Sequence, residues 1–314
     1  MKTFLHVGYP KSASSWLQRH YFVEKNNFIN LMNYGEWANY IGNELLTAQT
    51  TIFKDERPEL PPNEKTEENV VGISYEGIMD GIFNTDIQLI IDRTKKILGD
   101  PKVLMIIREQ RSLVYANYIQ YLRSGYSKNP NTYLKEIRWN KQQSIYGRLD
   151  YNKMYQLLKA NFSDVLVIPL EKLKKDRKAC IRTLNAYYGS EWSEVNEERT
   201  NASCPDSEVK MMHILNKLFK RGIGRSYMSL LPTSCIIKGK AEMIGEEDEV
   251  DRMGRWIPYI ASEIGPRIFR NIGQSQKKKF RERNKEIFYK DFAEGNRKIS
   301  KELNLELDQY GYLN

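Results

Sequence analysis

Short, continuous apolar runs alternate along the chain with longer stretches in which apolar residues recur every three to four positions. The runs cover residues 4–7, 28–32, 70–74, 103–107 and 165–168. Each is short enough for a strand buried on both faces, the habit of parallel sheets. Helical spacing predicts a helix starting at Trp16-Leu17-Gln18 and others over 36–46, 86–98, 112–122, 150–158 and 176–187. Gly99-Asp100-Pro101 stops one of these, and residues 54–69, with Pro58, Pro61 and Pro62, predict a surface loop. Alternation of this kind predicts an α/β fold with a central parallel β-sheet flanked by helices. Ligands of such sheets sit at the carboxyl ends of the strands.

The alternation stops between 190 and 274, where a mainly helical or irregular insertion is expected. Residues 191–208 are polar and 246–251 are acidic, so neither predicts core. Ser275 is placed to cap one long C-terminal helix, with Phe280, Ile287, Phe288, Phe292, Ile299 and Leu303 along one face. The expectation is a single domain over 1–314, with 190–274 as a divergent, acceptor-side region.

Composition narrows the partners. Lys and Arg total 49 against 40 Asp and Glu, a net charge of +9, which suits anionic partners such as nucleotides, acidic glycans, membrane surfaces or nucleic acid. The charges are spread rather than gathered in a stripe, which disfavours nucleic acid. Cys180, Cys204 and Cys235 are far apart and outside any Cys/His cluster, so neither a zinc site nor a disulfide framework is expected. The first strand starts too early for a signal peptide, and no apolar run approaches the ~20 residues of a membrane span. A soluble, cytoplasmic, bacterial protein is the expectation; a trimmed chain would look the same. Asn201-Ala-Ser203 matches a glycosylation sequon, a pattern common by chance.

The most informative stretch is Thr3-Phe-Leu-His-Val-Gly8-Tyr-Pro-Lys11-Ser-Ala-Ser-Ser15-Trp-Leu17. A strand breaks at Gly8 and Pro10, and small polar residues lead into a helix. Backbone N–H groups, the helix dipole and small hydroxyls then converge on one point, where Lys11 adds a full positive charge. A Walker A loop would read G-x-x-x-x-G-K-[ST]. Here Ala13 stands at the second glycine and Ser14 at the lysine, so a nucleoside triphosphate would lack its β/γ-phosphate cation.

An early lysine followed by paired hydroxyls and a tryptophan resembles the 5′-phosphosulfate loop of the sulfotransferase family, Tyr-Pro-Lys-Ser-Gly-Thr-Thr-Trp. Tyr9, Pro10, Lys11, Ser12 and Trp16 match it, and Ala13, Ser14 and Ser15 are conservative departures. Ile107-Arg108 and the residues to Tyr118 resemble the family's 3′-phosphate segment, in which a strand-end arginine is followed eight residues later by a serine. That serine is Ala116 here, with Asn117 beside it. Residues 165–173 resemble the strand before the family's Tyr-Glu-Asp-Leu, with Leu170 at the tyrosine. Residues 288–312 resemble the last helix and tail of bacterial sulfotransferases.

The resemblance implies a P-loop NTPase-like sulfotransferase fold and transfer from 3′-phosphoadenosine-5′-phosphosulfate (PAPS) without a metal. A hydroxyl of an acceptor, a carbohydrate or glycolipid, would take the sulfuryl group, and 3′,5′-adenosine bisphosphate (PAP) would leave. Lys11 would be catalytic, neutralising the bridging oxygen. Ser12, Ala13, Ser14 and Ser15 would hold the 5′-phosphate and Trp16 would stack near the adenine. Arg108, with Ala116 and Asn117, would form the 3′-phosphate site. A base must remove the acceptor proton. His6, His20 and His213 do not match the histidine of relatives that act on phenols and steroids. Carbohydrate-acting relatives use a glutamate, and Glu76, just after the strand at 70–74, takes that place, with Glu36 and Asp80 as substitutes. The basic, aromatic stretch 252–270 suits an acceptor lid, a peripheral membrane contact or packing. A P-loop kinase and a non-catalytic binder of anionic ligands are the alternatives.

Overall fold

The computed structural model describes residues 2–46, 56–60, 69–80, 86–192, 204–218, 249–268 and 275–313. The sequon at 201–203, Cys235 and most of the loop expected at 54–69 lie outside the described residues. The chain divides into two compact units. The first comprises residues 1–110, 142–200 and 287–314, and the second 111–141 and 201–286.

The first unit holds a five-stranded sheet of β1 (Lys2–Gly8), β2 (Phe28–Asn30), β3 (Val70–Ser74), β4 (Lys102–Ile107) and β5 (Val165–Pro169). The order is β2-β3-β1-β4-β5 and every pairing is parallel. Each strand covers its predicted apolar run to within one or two residues, because a strand covered on both faces needs no polar alternation. From β1 the chain departs toward β2, and from β4 toward β5. Those two central neighbours therefore diverge at their carboxyl ends and open the crevice expected of such sheets.

Short helices cover the sheet, and their ends follow from capping chemistry. Asp86 caps α4 (Ile87–Leu98), following α1 (Ser14–His20), α2 (Gly35–Tyr40) and α3 (Gly77–Asp80), by accepting from the Gln88 N–H at 2.9 Å. Gly99, at φ 74°, closes α4 onto the Lys95 carbonyl. The helix Arg177–Tyr188 is capped in the same manner by Asp176 and Gly189. One face of β1 packs into an aromatic cluster. Phe4 stacks on Phe22 at 4.7 Å, and Phe28 and Tyr188 meet it edge-on. Trp16 and Leu17 of α1 belong to the same buried cluster, which fixes α1, and the loop before it, against the sheet.

The second unit is helical, with Gln110–Arg123, Pro130–Trp139, Asp206–Leu218, Glu249–Ile268 and Gln276–Arg283 as its main elements. Among its described residues, the polar stretch at 191–208 has Trp192 and Glu208 buried. Trp192 packs against Trp16 in the first unit, and in the second Glu208 pairs with Arg123 at 3.0 Å. The single C-terminal helix is also corrected, since Gln276–Arg283 and Lys285–Leu303 are separate. The break falls at Asn284, whose buried Nδ2 donates to the Phe280 carbonyl at 2.8 Å and to Asn131 Oδ1 at 2.9 Å. The Phe280 carbonyl thus accepts from both the backbone N–H and the side-chain amide of Asn284, and the helix stops there although the apolar spacing continues. Among the described residues no helix is long and apolar enough to cross a membrane.

Candidate functional site

β1 ends at Gly8, where a side chain has no room. A Cβ there would lie 2.5 Å from Ser14 Oγ and 2.9 Å from His6 Nε2. The chain then turns back, with the Ser12 N–H donating to the Tyr9 carbonyl at 3.1 Å. Lys11 and Ala13 both take left-handed backbone angles, φ 62° and 67°. The Ala13 carbonyl opens α1 by accepting from the Trp16 and Leu17 N–H groups. Glycine adopts such angles freely, whereas a Cβ costs about 1–2 kcal/mol there. Ala13 is therefore a less conservative departure from the family's glycine than its size suggests.

The loop is held on three sides. The buried Tyr9 hydroxyl donates to the Arg148 carbonyl at 2.5 Å. Arg108 Nη1 donates to the Lys11 carbonyl at 2.6 Å, reaching across from the end of β4. From the core side, Trp16 is packed between His20 and Trp192, with the Arg177 guanidinium over its ring at 5.0 Å. Lys11 is exposed and Ser15 half-buried. Ser12 and Ser14 are buried, and among the described residues neither hydroxyl has a hydrogen-bond partner; nor does Trp16 Nε1 or His6 Nε2.

Glu76 is delivered to this loop by the end of β3. Every polar group of Ser74 is anchored: its N–H donates to Asn30 Oδ1 at 3.0 Å, and its carbonyl accepts from Gln18 Nε2 at 2.9 Å. Its hydroxyl shares a 2.7 Å hydrogen bond with His6 Nδ1. Arg148 Nη1 then fixes α3, just beyond Glu76, by donating to the Ile78 carbonyl at 2.7 Å. Glu76 is half-buried by area, but burial of its carboxyl raises the pKa above the ordinary value, while the Lys11 charge and the Ser14 hydroxyl pull it back. The Ser14 hydroxyl lies close enough for that effect without completing a hydrogen bond of normal geometry. His6 is fully buried, which lowers its pKa to about 3, so it stays neutral and takes no proton near pH 7.

Arg108 leaves β4 half-buried, its guanidinium partly desolvated and its main opposing charge that of Glu171. Among the described residues no carboxylate forms an ion pair with it. Lys11, Ser14 and Glu76 thus meet at the ends of β1 and β3, and Arg108 is tied to the same loop from β4.

Other expected site residues fall elsewhere. Ala116 and Asn117 lie on Gln110–Arg123, within the second unit. The Trp16 ring is buried beneath Arg177 and offers no open face to a base. Leu170 is buried in the core. Glu36 is exposed on α2, and Asp80 ends α3. Of the histidines, His20 ends α1 and His213 lies in the second unit. Gln18, Arg148, Tyr151 and Glu171 act on backbone groups distant in sequence, and Ser74 and Tyr312 on distant side chains; none of these contacts leaves a periodic signal, although Glu171 and Tyr312 lie in stretches that carry the resemblance. Among the described residues no cluster of three or more His, Cys, Asp or Glu could hold a metal ion.

No protein-family model matches the chain, and no curated protein matches it. Among solved structures, a sulfotransferase from Alicyclobacillus acidocaldarius is similar at 15% identity and a TM-score of 0.42. The match covers 73% of this chain and 98% of that one. A likeness this distant identifies neither a family nor an activity.

Two outcomes follow from the loop and the glutamate. Ala13→Gly should stabilise the protein by about 0.5 kcal/mol in urea denaturation, because relief of the left-handed strain exceeds the added freedom of the unfolded chain; a clear loss would mean the loop is not strained at Ala13. Because the folded state raises the Glu76 pKa, ionised Glu76 destabilises the fold above that pKa. Glu76→Gln should therefore melt higher than the wild type near pH 7. The gap should close as the pH falls through the raised pKa toward the ordinary glutamate value. Equal melting at pH 7 would contradict the desolvation.

Proposed function

We propose that the crevice at the ends of β3, β1 and β4 binds PAPS, and that the protein transfers its sulfuryl group to a hydroxyl of a carbohydrate or glycolipid acceptor. One observation carries this reading: Ser12 and Ser14, both buried and unpartnered, sit in a left-handed loop between an exposed lysine and a glutamate of raised pKa. A buried polar group left unpaired costs about 1–3 kcal/mol, so a native fold keeps a cluster of them for a reason. A phosphate presents several acceptor oxygens and would satisfy both hydroxyls, so these residues fit the 5′-phosphate. The loop N–H groups and Ser15 would complete its contacts. α1 is only two turns long, so its dipole is a minor contributor.

Bound PAPS supplies the activated sulfuryl group. In the transfer, the S–O bond to the 5′-phosphate breaks as the bond to the acceptor oxygen forms, and the acceptor proton passes to Glu76. The raised pKa makes Glu76 a stronger base than a solvated glutamate, and the Lys11 charge beside it opposes that rise. Lys11 would also stabilise the charge that develops on the leaving oxygen, where positioning and electrostatics supply most of the acceleration. Arg108, held to the loop through the Lys11 carbonyl, would take the 3′-phosphate. Ala116 and Asn117 belong to that site on the sequence pattern alone. The adenine contact expected of the Trp16 face is not part of this reading, because Arg177 covers it.

Calorimetry tests the donor site. The wild type should bind 3′,5′-adenosine bisphosphate in preference to ATP or an oligonucleotide. Arg108→Ala should weaken the bisphosphate by about 1.5–3 kcal/mol while affecting adenosine 5′-phosphosulfate far less. Equal losses for both ligands would remove Arg108 from the 3′ site. For the chemical step, Glu76→Gln should leave bisphosphate binding nearly unchanged and slow transfer roughly 10²–10⁴-fold; a fully active variant would move the base to Glu36 or Asp80.

A further inference from the structure

The three residues that leave β4 are each fixed by a different element. The Arg108 carbonyl accepts from the Tyr151 hydroxyl. The Glu109 N–H donates to Glu171 Oε1 at 3.2 Å. The buried Gln110 side chain exchanges hydrogen bonds with Asn296, at 2.8 and 3.2 Å. Asn296 Nδ2 also donates to the Tyr312 carbonyl at 2.9 Å, and the Tyr312 hydroxyl donates to Glu171 Oε2 at 2.7 Å. The hydrogen bonds close into a ring from Glu109 through Glu171, Tyr312 and Asn296 back to Gln110. Tyr312 is buried, in a segment after the last helix that is anchored by the buried Leu307 and turned at Gly311, φ 82°.

This ring accounts for a feature of Arg108 that its charge alone would not. Glu171 is the strongest opposing charge acting on Arg108, yet the two form no ion pair. The Glu109 N–H holds one carboxylate oxygen of Glu171 and the Tyr312 hydroxyl the other, which fixes the orientation of the carboxylate without an ion pair to Arg108. A carboxylate free to turn, next to a partly desolvated guanidinium, would pair with it and compete with an incoming anion.

We propose that Tyr312 is a positioning residue for the donor site: by holding Glu171 it keeps the Arg108 guanidinium, whose Nη1 is on the Lys11 carbonyl, clear of a carboxylate partner and open to the 3′-phosphate of the bound nucleotide. The inference rests on the assignment of Arg108 to that phosphate. Tyr312→Phe removes only the hydroxyl and keeps the buried ring, which stacks edge-on near Tyr151 at 6.2 Å. The released carboxylate then turns to Arg108.

Calorimetry on the full chain tests this with the bisphosphate and with adenosine 5′-phosphosulfate. Tyr312→Phe should raise the bisphosphate Kd roughly tenfold, the scale of one charge-assisted contact, and leave the 5′-phosphosulfate Kd unchanged. Adding Glu171→Gln to Tyr312→Phe should restore tight bisphosphate binding, because a neutral amide does not compete for the guanidinium. Glu171→Gln alone should bind the bisphosphate at least as tightly as the wild type. A loss in that single variant would overturn the proposal even if Tyr312→Phe failed to fold. Wild-type binding by Tyr312→Phe, or a double variant no better than Tyr312→Phe, would also overturn it while leaving the donor site standing. A wild type that binds no bisphosphate would sink the donor-site reading and this inference together.

Discussion

The site depends on two left-handed residues, Lys11 and Ala13, held in the turn that follows β1. Each carries a Cβ in a conformation that costs about 1–2 kcal/mol, so the turn persists only because its surroundings fix it. Arg108 clamps the Lys11 carbonyl, Tyr9 is bolted to Arg148, and the Ala13 carbonyl starts a helix whose Trp16 and Leu17 are buried in the main core. Without that turn, the Lys11 side chain would not stay in the solvent and the Ser12 and Ser14 hydroxyls would not stay buried. Strain stored at one loop and supported by a packed core is the usual signature of a functional segment.

Around the loop, the fold delivers one carboxylate from the end of β3 and one guanidinium from the end of β4, on either side of β1. Glu76 is set by the fully anchored Ser74, and its desolvation is offset in part by Lys11. Arg108 is set by the network at the end of β4, with Glu171 engaged elsewhere. His6 supports Ser74 in a neutral form rather than supplying a base. The division of roles is electrostatic: the charges that would bind or react are only partly offset, and hydrogen-bonded groups around them hold them in place.

Much of this was legible in the sequence because the sheet is parallel and buried. A strand such as Lys102–Ile107 is apolar at every position after the first, so its run and its boundaries nearly coincide. Residues just past such runs fall at the carboxyl edge of the sheet, which is why the positions of Lys11, Glu76 and Arg108 could be anticipated from the pattern, while their expected roles came only from the family resemblance. Two helices show the limits of periodicity. Pro130–Trp139 begins with the Asn129-Pro130 capping signal but has too mixed a composition to stand out. The break at Asn284 lies inside an uninterrupted apolar stripe, where the side-chain amide shares the Phe280 carbonyl with the backbone N–H. The pair Tyr312 and Glu171 is separated by 141 residues and joined by a single hydrogen bond, so neither spacing nor composition records it.

Diffraction from crystals of the wild-type protein grown with 3′,5′-adenosine bisphosphate tests the central claim most directly. The account predicts the 5′-phosphate within hydrogen-bond reach of Ser12 or Ser14 and of Lys11, and the 3′-phosphate on the Arg108 guanidinium. Nucleotide bound elsewhere, or Ser12 and Ser14 still unpartnered beside an ordered ligand, would contradict it.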